Sequence, residues 1–245
     1  MIAIFLIGCQ PTQQEEVEIT HTNKFILTDT IYQTQVHYLH TNVKGPKVAV
    51  IGGIHGDEIA GWEAAELLLD YSFQKGSYLI ITRASSLAVS LQLRYPGINN
   101  GGWYLGVQYS DLNRIFPGKA NGNPTEQIAD AIIQELIDFD PDYIIDLHES
   151  RRSYIDGNLG DSVIYSNGKT SLFALEMVEA MNADYIESGD VNFRVDNSAP
   201  EGSLNNYCST YFGVFVMTFE TNRQLDLMKR IDQQLALVEI LLNKI

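Results

Sequence analysis

Three short apolar runs, each ending at a polar group able to do chemistry, constrain this chain more than any other feature. Val48-Ala49-Val50-Ile51 leads into Gly52-Gly53-Ile54-His55, Tyr143-Ile144-Ile145 leads to Asp146-Leu147-His148, and Val214-Phe215-Val216-Met217 leads to Thr218-Phe219-Glu220. Such β-branched, almost wholly apolar runs suit central strands of a sheet covered on both faces. From Lys47 onward the pattern is strand, turn, helix, repeated. Strands are expected at 47–51, 78–82, 143–147, 163–165 and 214–219. Helices are expected at 58–71, 127–139, 172–181 and from 224 to the C-terminus. Before them, 25–27 and 31–39 suggest short antiparallel strands near an edge. The expected fold is a single α/β domain: a central mixed, mostly parallel sheet flanked by helices on both faces.

Between 87 and 123 the periodicity dissolves into Gly, Asn, Pro and Tyr, and so long a loop in a compact domain usually has work to do. With 245 residues and 45% hydrophobic content, the chain can bury one large core. A formal charge of −15 without any basic run argues against nucleic acid as a partner. No segment approaches the ~18 apolar residues that span a bilayer.

The N-terminus differs from the rest. Residues 1–7 are apolar, and Leu6-Ile7-Gly8-Cys9 precedes a polar stretch, which resembles a bacterial lipobox, although no Lys or Arg precedes the apolar run and the run is short. Residues 1–16 therefore read as a lipoprotein signal remnant and polar tail, and 17–245 as the catalytic domain. A lipidated Cys9 would tether the protein outside the cytoplasmic membrane; otherwise a cytoplasmic location is expected. Cys208, inside an expected helix, reads as a small buried apolar residue.

Chemistry concentrates at the strand ends, where open α/β sheets place their ligands. His55 and Glu58 are three residues apart at the entry to a helix, so both side chains can face one point. His148 arrives from a separate strand. Two imidazoles and one carboxylate suit one Zn2+ ion with a coordination position left open. Glu220 ends a third strand, where it can take a proton from a metal-bound water and pass it to a leaving amine. In the long loop, Asp111-Leu112-Asn113-Arg114 offers Arg114 as a bidentate clamp for a substrate carboxylate and Asn113 as a neutral donor. Arg94 on the same loop could face an oxyanion.

Together G-G-I-H-G-D-E, D-L-N-R-I-F-P-G, D-L-H-E and T-F-E, in this order, resemble the zinc carboxypeptidase superfamily, including its succinylglutamate desuccinylase and aspartoacylase branch. The resemblance runs roughly from Lys47 to Asn222. It implies zinc ligands at His55, Glu58 and His148 and a general base at Glu220. It also implies carboxylate recognition by Asn113 and Arg114 and an oxyanion arginine, for which Arg94 fits best. Two departures stand out. The mobile tyrosine that such enzymes carry before a G-S turn is missing ahead of Gly202-Ser203, which leaves Tyr207 or Tyr154 as candidates. Only one helix can follow Glu220, whereas aspartoacylase-like members usually append a β-rich domain.

The expected activity is hydrolysis of an amide bond next to a free carboxylate. A metallocarboxypeptidase acting on small peptides, cell-wall peptides among them, is the first reading. An N-acyl amino acid deacylase is the second, and an inactive, zinc-bearing, peptide-binding lipoprotein the third. Asp146 is expected either to orient a ligand histidine or to pair in the core. Arg151 and Arg152 either select an acidic side chain or are solvated. His21, His37 and His40 read as surface residues, and Trp103 and Tyr104 either line a pocket or pin the loop.

Overall fold

In the computed structural model, which describes residues 16–97, 102–153, 157–185 and 193–245, the apolar runs form the middle of an eight-stranded sheet. Its strands are β1 (Ile19–Ile26), β2 (Thr34–Thr41), β3 (Lys47–Gly52), β4 (Ser77–Ile81), β7 (Tyr143–Ser150), β8 (Ser162–Ile164), β9 (Arg194–Asp196) and β10 (Phe215–Asn222). A separate two-stranded hairpin joins β5 (Trp103–Tyr104) to β6 (Val107–Gln108). The order across the large sheet is β1-β2-β4-β3-β7-β10-β8-β9. The central four, β4, β3, β7 and β10, run parallel. Antiparallel pairing attaches β2 to β4, β1 to β2 and β8 to β10, while β9 lies parallel to β8. This is the mixed, mostly parallel sheet expected. Cys9 and Tyr154 lie outside the described residues.

Alternation along the strands builds two cores. Val48 and Val50 of β3, Ile145 and Leu147 of β7, and Met217 and Phe219 of β10 face one side. There they meet the helices α1 (Ile59–Leu67), α4 (Gly168–Tyr185) and α6 (Leu227–Lys244). Ala49, Ile51, Ile144 and Val216 face the other side. They pack on α3 (Pro124–Phe139) and α5 (Leu204–Tyr211), while the short α2 (Ser86–Leu91) follows β4. Cys208 is buried in this second core as expected.

On that second face the strands change character along their length. Ile144 is followed two residues on by Asp146 and then His148; Val216 is followed by Thr218 and then Glu220. All six share one face because side chains alternate with a period of two. The core thus gives way to a polar floor towards the carboxyl ends of β7 and β10, and the candidate site lies there.

Several local features differ from the expectation. The 87–123 stretch is not structureless: it holds most of α2, the small hairpin, and a 3-10 turn at Leu112–Arg114. Helix α3 starts earlier than its apolar stripe, at Pro124, because Asn123 and Glu126 form a reciprocal capping box. Strand β9 carried no apolar signal. His37 is buried, not at the surface: it sits on β2 between two neighbouring strands, with its Nδ1 3.0 Å from His21 Nε2. His21 and His40 are exposed, as expected.

Candidate functional site

The three candidate ligands come together from two strand ends and a helix start. The chain leaves β3 through Gly53 at φ +72 and reaches His55. Gly56 then passes so close to α2 that a Cβ there would lie 2.0 Å from the backbone of Ala88, so only glycine fits. Glu58 is the N-cap of α1, yet its side chain does not cap the helix. It turns instead to the imidazoles: Oε1 lies 2.9 Å from His55 Nδ1, and Oε2 lies 2.7 Å from His148 Nδ1. The vacant capping role falls to Glu149, whose Oε2 accepts from the Ala60 N–H at 3.0 Å. The backbone N–H of Glu149 in turn donates to Glu58 Oε2 at 3.0 Å.

The two Nδ1 atoms are 3.1 Å apart, and donor atoms from all three residues lie within 4.8 Å of one another. A tetrahedral zinc ion with bonds near 2.0–2.1 Å spaces its nitrogen ligands by roughly 3.3 Å, so the set fits. Electrostatics lead to the same conclusion. Burial would raise Glu58, but His55 and His148 hold it well below the usual carboxylate range. Burial would lower His148, yet Asp146 and Glu58 hold it well above the ordinary imidazole range. The site calls for positive charge between these donors, which a divalent cation supplies without protonating a ligand.

Each imidazole is steadied from its far side. Asp111 Oδ1 lies 2.9 Å from His55 Nε2 and also accepts from the Asn113 N–H at 3.0 Å. Asp146, fully buried, places Oδ2 3.0 Å from His148 Nε2. That contact is ionic and off the hydrogen-bond line, so both oxygens of Asp146 lack hydrogen-bond partners among the described residues. Gln234 of α6 fixes the strand itself by donating to the His148 carbonyl at 2.7 Å. Carboxylates that orient metal-bound histidines typically change metal affinity 10- to 100-fold. Asp111→Ala is accordingly expected to weaken zinc binding by roughly 10- to 100-fold, read by competition against a chromogenic chelator. An unchanged affinity would mean that Asp111 serves only the 3-10 turn.

Glu220 sits in register with His148 on the neighbouring strand, almost buried but facing the cleft. Burial pushes its carboxyl up to about 8, with Glu58 and Asp146 adding to the rise and His148 and Arg94 opposing it. Cationic charge at the metal position would pull it down again. Arg94 reaches the centre but is occupied: Nη1 donates to Glu58 Oε1 at 3.0 Å and Nε to Asp111 Oδ2 at 3.2 Å. Asn113 Oδ1 accepts from the Leu204 N–H at 3.1 Å, tying the 3-10 turn to α5. Arg114 projects into the cleft, one nitrogen anchored on the Asn113 carbonyl at 2.6 Å.

These residues line an open cleft of about 870 Å³. Arg151 lines it too, but Arg152 does not. Trp103, Tyr104 and Tyr207 are not part of its wall either, so no described tyrosine lines it. Sequence reasoning missed Arg223, which pairs with Asp57 at 3.0 Å and reaches to 3.5 Å from Glu58. It also missed the buried Glu149–Arg230 ion pair. The only signal for either was a charged residue beside a motif.

Residues 44–208 match the family model of the succinylglutamate desuccinylase/aspartoacylase catalytic domain. The chain belongs to this family. The matched segment contains all three candidate ligands and stops short of Glu220, whose place in the site rests on its register with His148. A relative from Halomonas elongata, N-alpha-acetyl-L-2,4-diaminobutyric acid deacetylase, is 29% identical over 145 residues, covering 58% of this chain and 40% of its own. Among solved structures, the apo cell shape determinant protein Csd4 of Helicobacter pylori superposes with a TM-score of 0.68 at 20% identity, covering 94% of this chain and 54% of that one. A succinylglutamate desuccinylase from Silicibacter sp. TM1040 gives 0.65 at 18% identity, covering 96% and 68%. The chain spans less than half of the Halomonas relative and about half of Csd4. These similarities bear out the resemblance and the fold expected for this desuccinylase/aspartoacylase domain.

Proposed function

We propose that the protein is a zinc-dependent hydrolase of an amide bond lying next to a free carboxylate. The observation that carries this reading is the convergence of His55, Glu58 and His148 beside a nearly buried Glu220, all lining one cleft. His55, Glu58 and His148 would hold a zinc ion, which would supply a Lewis acid and lower the pKa of a bound water. Glu220 would serve as general base to the attacking water and pass the proton to the leaving nitrogen. Arg114 receives the substrate carboxylate, with its guanidinium fork anchored by Asn113. Arg94, oriented by Asp111 and Glu58, would stabilise the charge that develops on the carbonyl oxygen.

The leading substrate class is a short peptide cleaved at its C-terminal residue. An open cleft of about 870 Å³ is large enough to take a short peptide. One of the Csd4 structures is described as a D,L-carboxypeptidase bound to mDAP, and another as bound to a tripeptide. A second reading, N-acyl amino acid deacylation, is favoured by the family match and by the Halomonas relative, whose name specifies an acetyl group on an α-nitrogen. We further propose that a lipid on Cys9 holds the protein outside the cytoplasmic membrane, on the strength of the N-terminal sequence.

The test is hydrolysis of two panels, short peptides of varied C-terminal residue and N-acetyl or N-succinyl amino acids, by zinc-loaded and chelated protein. Release of a free amino acid from one panel, abolished by chelation and restored by zinc, is the expected outcome. Zinc-independent release, or none from either panel, would sink the proposal.

A further inference from the structure

The cleft extends beyond the zinc ligands and Glu220. Thr218 on β10 is in register with Ile164 on β8, and Ile164 with Asp196 on β9. Val163 and Val195 belong to the opposite core, so Thr218, Ile164 and Asp196 share the site's face. All three line the cleft. The floor therefore runs from the reaction centre over a hydroxyl and an apolar side chain to a carboxylate.

Asp196 has one described task, accepting the Ser198 N–H on Oδ1 at 2.7 Å. Among the described residues, no lysine or arginine pairs with it. A half-buried carboxylate at the end of an apolar floor is a receptor for a cation. From Thr218 to Asp196 is two strand spacings, roughly 10 Å. Strand side chains stand roughly perpendicular to the sheet, so only a long stem lying across Ile164 can carry an ammonium from the reaction centre to Asp196. Arg151, which also lines the cleft, is exposed, so water weakens its hold on any ligand.

We propose that Asp196 determines specificity by binding the side-chain ammonium of the residue whose carboxylate Arg114 holds, so that the preferred substrates end in, or consist of, a diamino acid with a long stem. This rests on the hydrolase reading for its reaction, but not for its binding preference.

The test uses zinc-loaded full-length protein, with calorimetric titration of lysine, norleucine and glutamate as both enantiomers. All three share the α-amino and α-carboxyl groups; lysine and norleucine have the same four-carbon stem and differ only in the terminal ammonium, while glutamate carries a carboxylate on a shorter stem. Lysine is expected to bind roughly 10- to 100-fold more tightly than norleucine, the effect of one charged hydrogen bond. In Asp196→Asn, lysine should fall to the norleucine level. Norleucine should be unaffected, because the amide oxygen still accepts the Ser198 N–H and the floor is intact; its binding also reports that the variant is folded. A preference for glutamate, a lysine advantage that survives Asp196→Asn, or no binding of any probe would overturn the assignment. Hydrolysis of the Nα-acetyl forms and of short peptides ending in the same residues, run in parallel, separates the two claims. Ammonium-selective binding with no turnover sinks the hydrolase and keeps the Asp196 assignment. Turnover indifferent to the ammonium does the reverse.

Discussion

Glu220→Gln is expected to lower kcat by about 10²- to 10⁴-fold, the usual worth of a positioned general acid–base. The glutamine keeps the volume and planarity of the side chain and cannot accept the proton. Among the described hydrogen bonds and ion pairs, none uses the Glu220 carboxylate, so the substitution breaks no structural bond. Zinc content and KM should therefore hold while kcat and kcat/KM fall together, the signature of a group acting only in the transition state. Retained turnover would remove Glu220 from the mechanism and reopen the reading of the protein as a zinc-bearing binder.

The same substitution has a signed effect on stability in the chelated protein. Burial raises Glu220 from the ordinary carboxylate range to about 8. For a group whose folded pKa is raised, its contribution is fully present below the unfolded pKa and is lost as pH rises through the folded one. Chelated Glu220→Gln should then melt near the wild-type temperature at about pH 4.5, and above it beyond about pH 8. A variant that melts below wild type at alkaline pH would show the ionised carboxylate to be favourably paired.

Legibility from sequence followed hydrophobic burial. β3, β7 and β10 lie in the middle of the sheet, so both faces are apolar and the runs stand out. Their ends carry His55, His148 and Glu220, and a parallel arrangement brings such ends to one edge of the sheet. That is why residues up to 165 positions apart could be assigned to one place. β9 escaped because it is a three-residue edge strand beginning and ending in charge, and α2 because six residues are too few for a periodic stripe. Asp111 illustrates a different limit. Its motif was recognised, but which of four residues turns towards His55 depends on the 3-10 turn, in which Asp111 is the N-cap. His37 shows the limit for single residues: the opposite facing of His37 and His40 follows from strand period, but burial depends on which strands flank β2.

Arg230→Met should cost about 3–5 kcal/mol of stability, the usual penalty for stripping one partner from a buried ion pair. The Glu149 carboxylate is 0% exposed and is held by Arg230 on Oε1 and by the Ala60 N–H on Oε2. Burial raises its pKa even with Arg230 opposing, so the position tolerates the charge only because α6 supplies a guanidinium. Methionine retains much of the apolar stem and removes the cation. Equilibrium urea unfolding would measure the loss. Loss of Arg230 should also reach the metal. Glu149 stands between His148 and α1, its N–H bonded to Glu58 and its side chain on the first turn of the helix that Glu58 begins. Zinc affinity should fall along with stability. Arg230→Met/Glu149→Gln should recover most of both, because glutamine still accepts the Ala60 N–H and buries no charge. A single variant losing less than about 1 kcal/mol would place this pair with ordinary surface ion pairs. A double variant no better than the single would mean that Arg230 acts through its stem and not through Glu149.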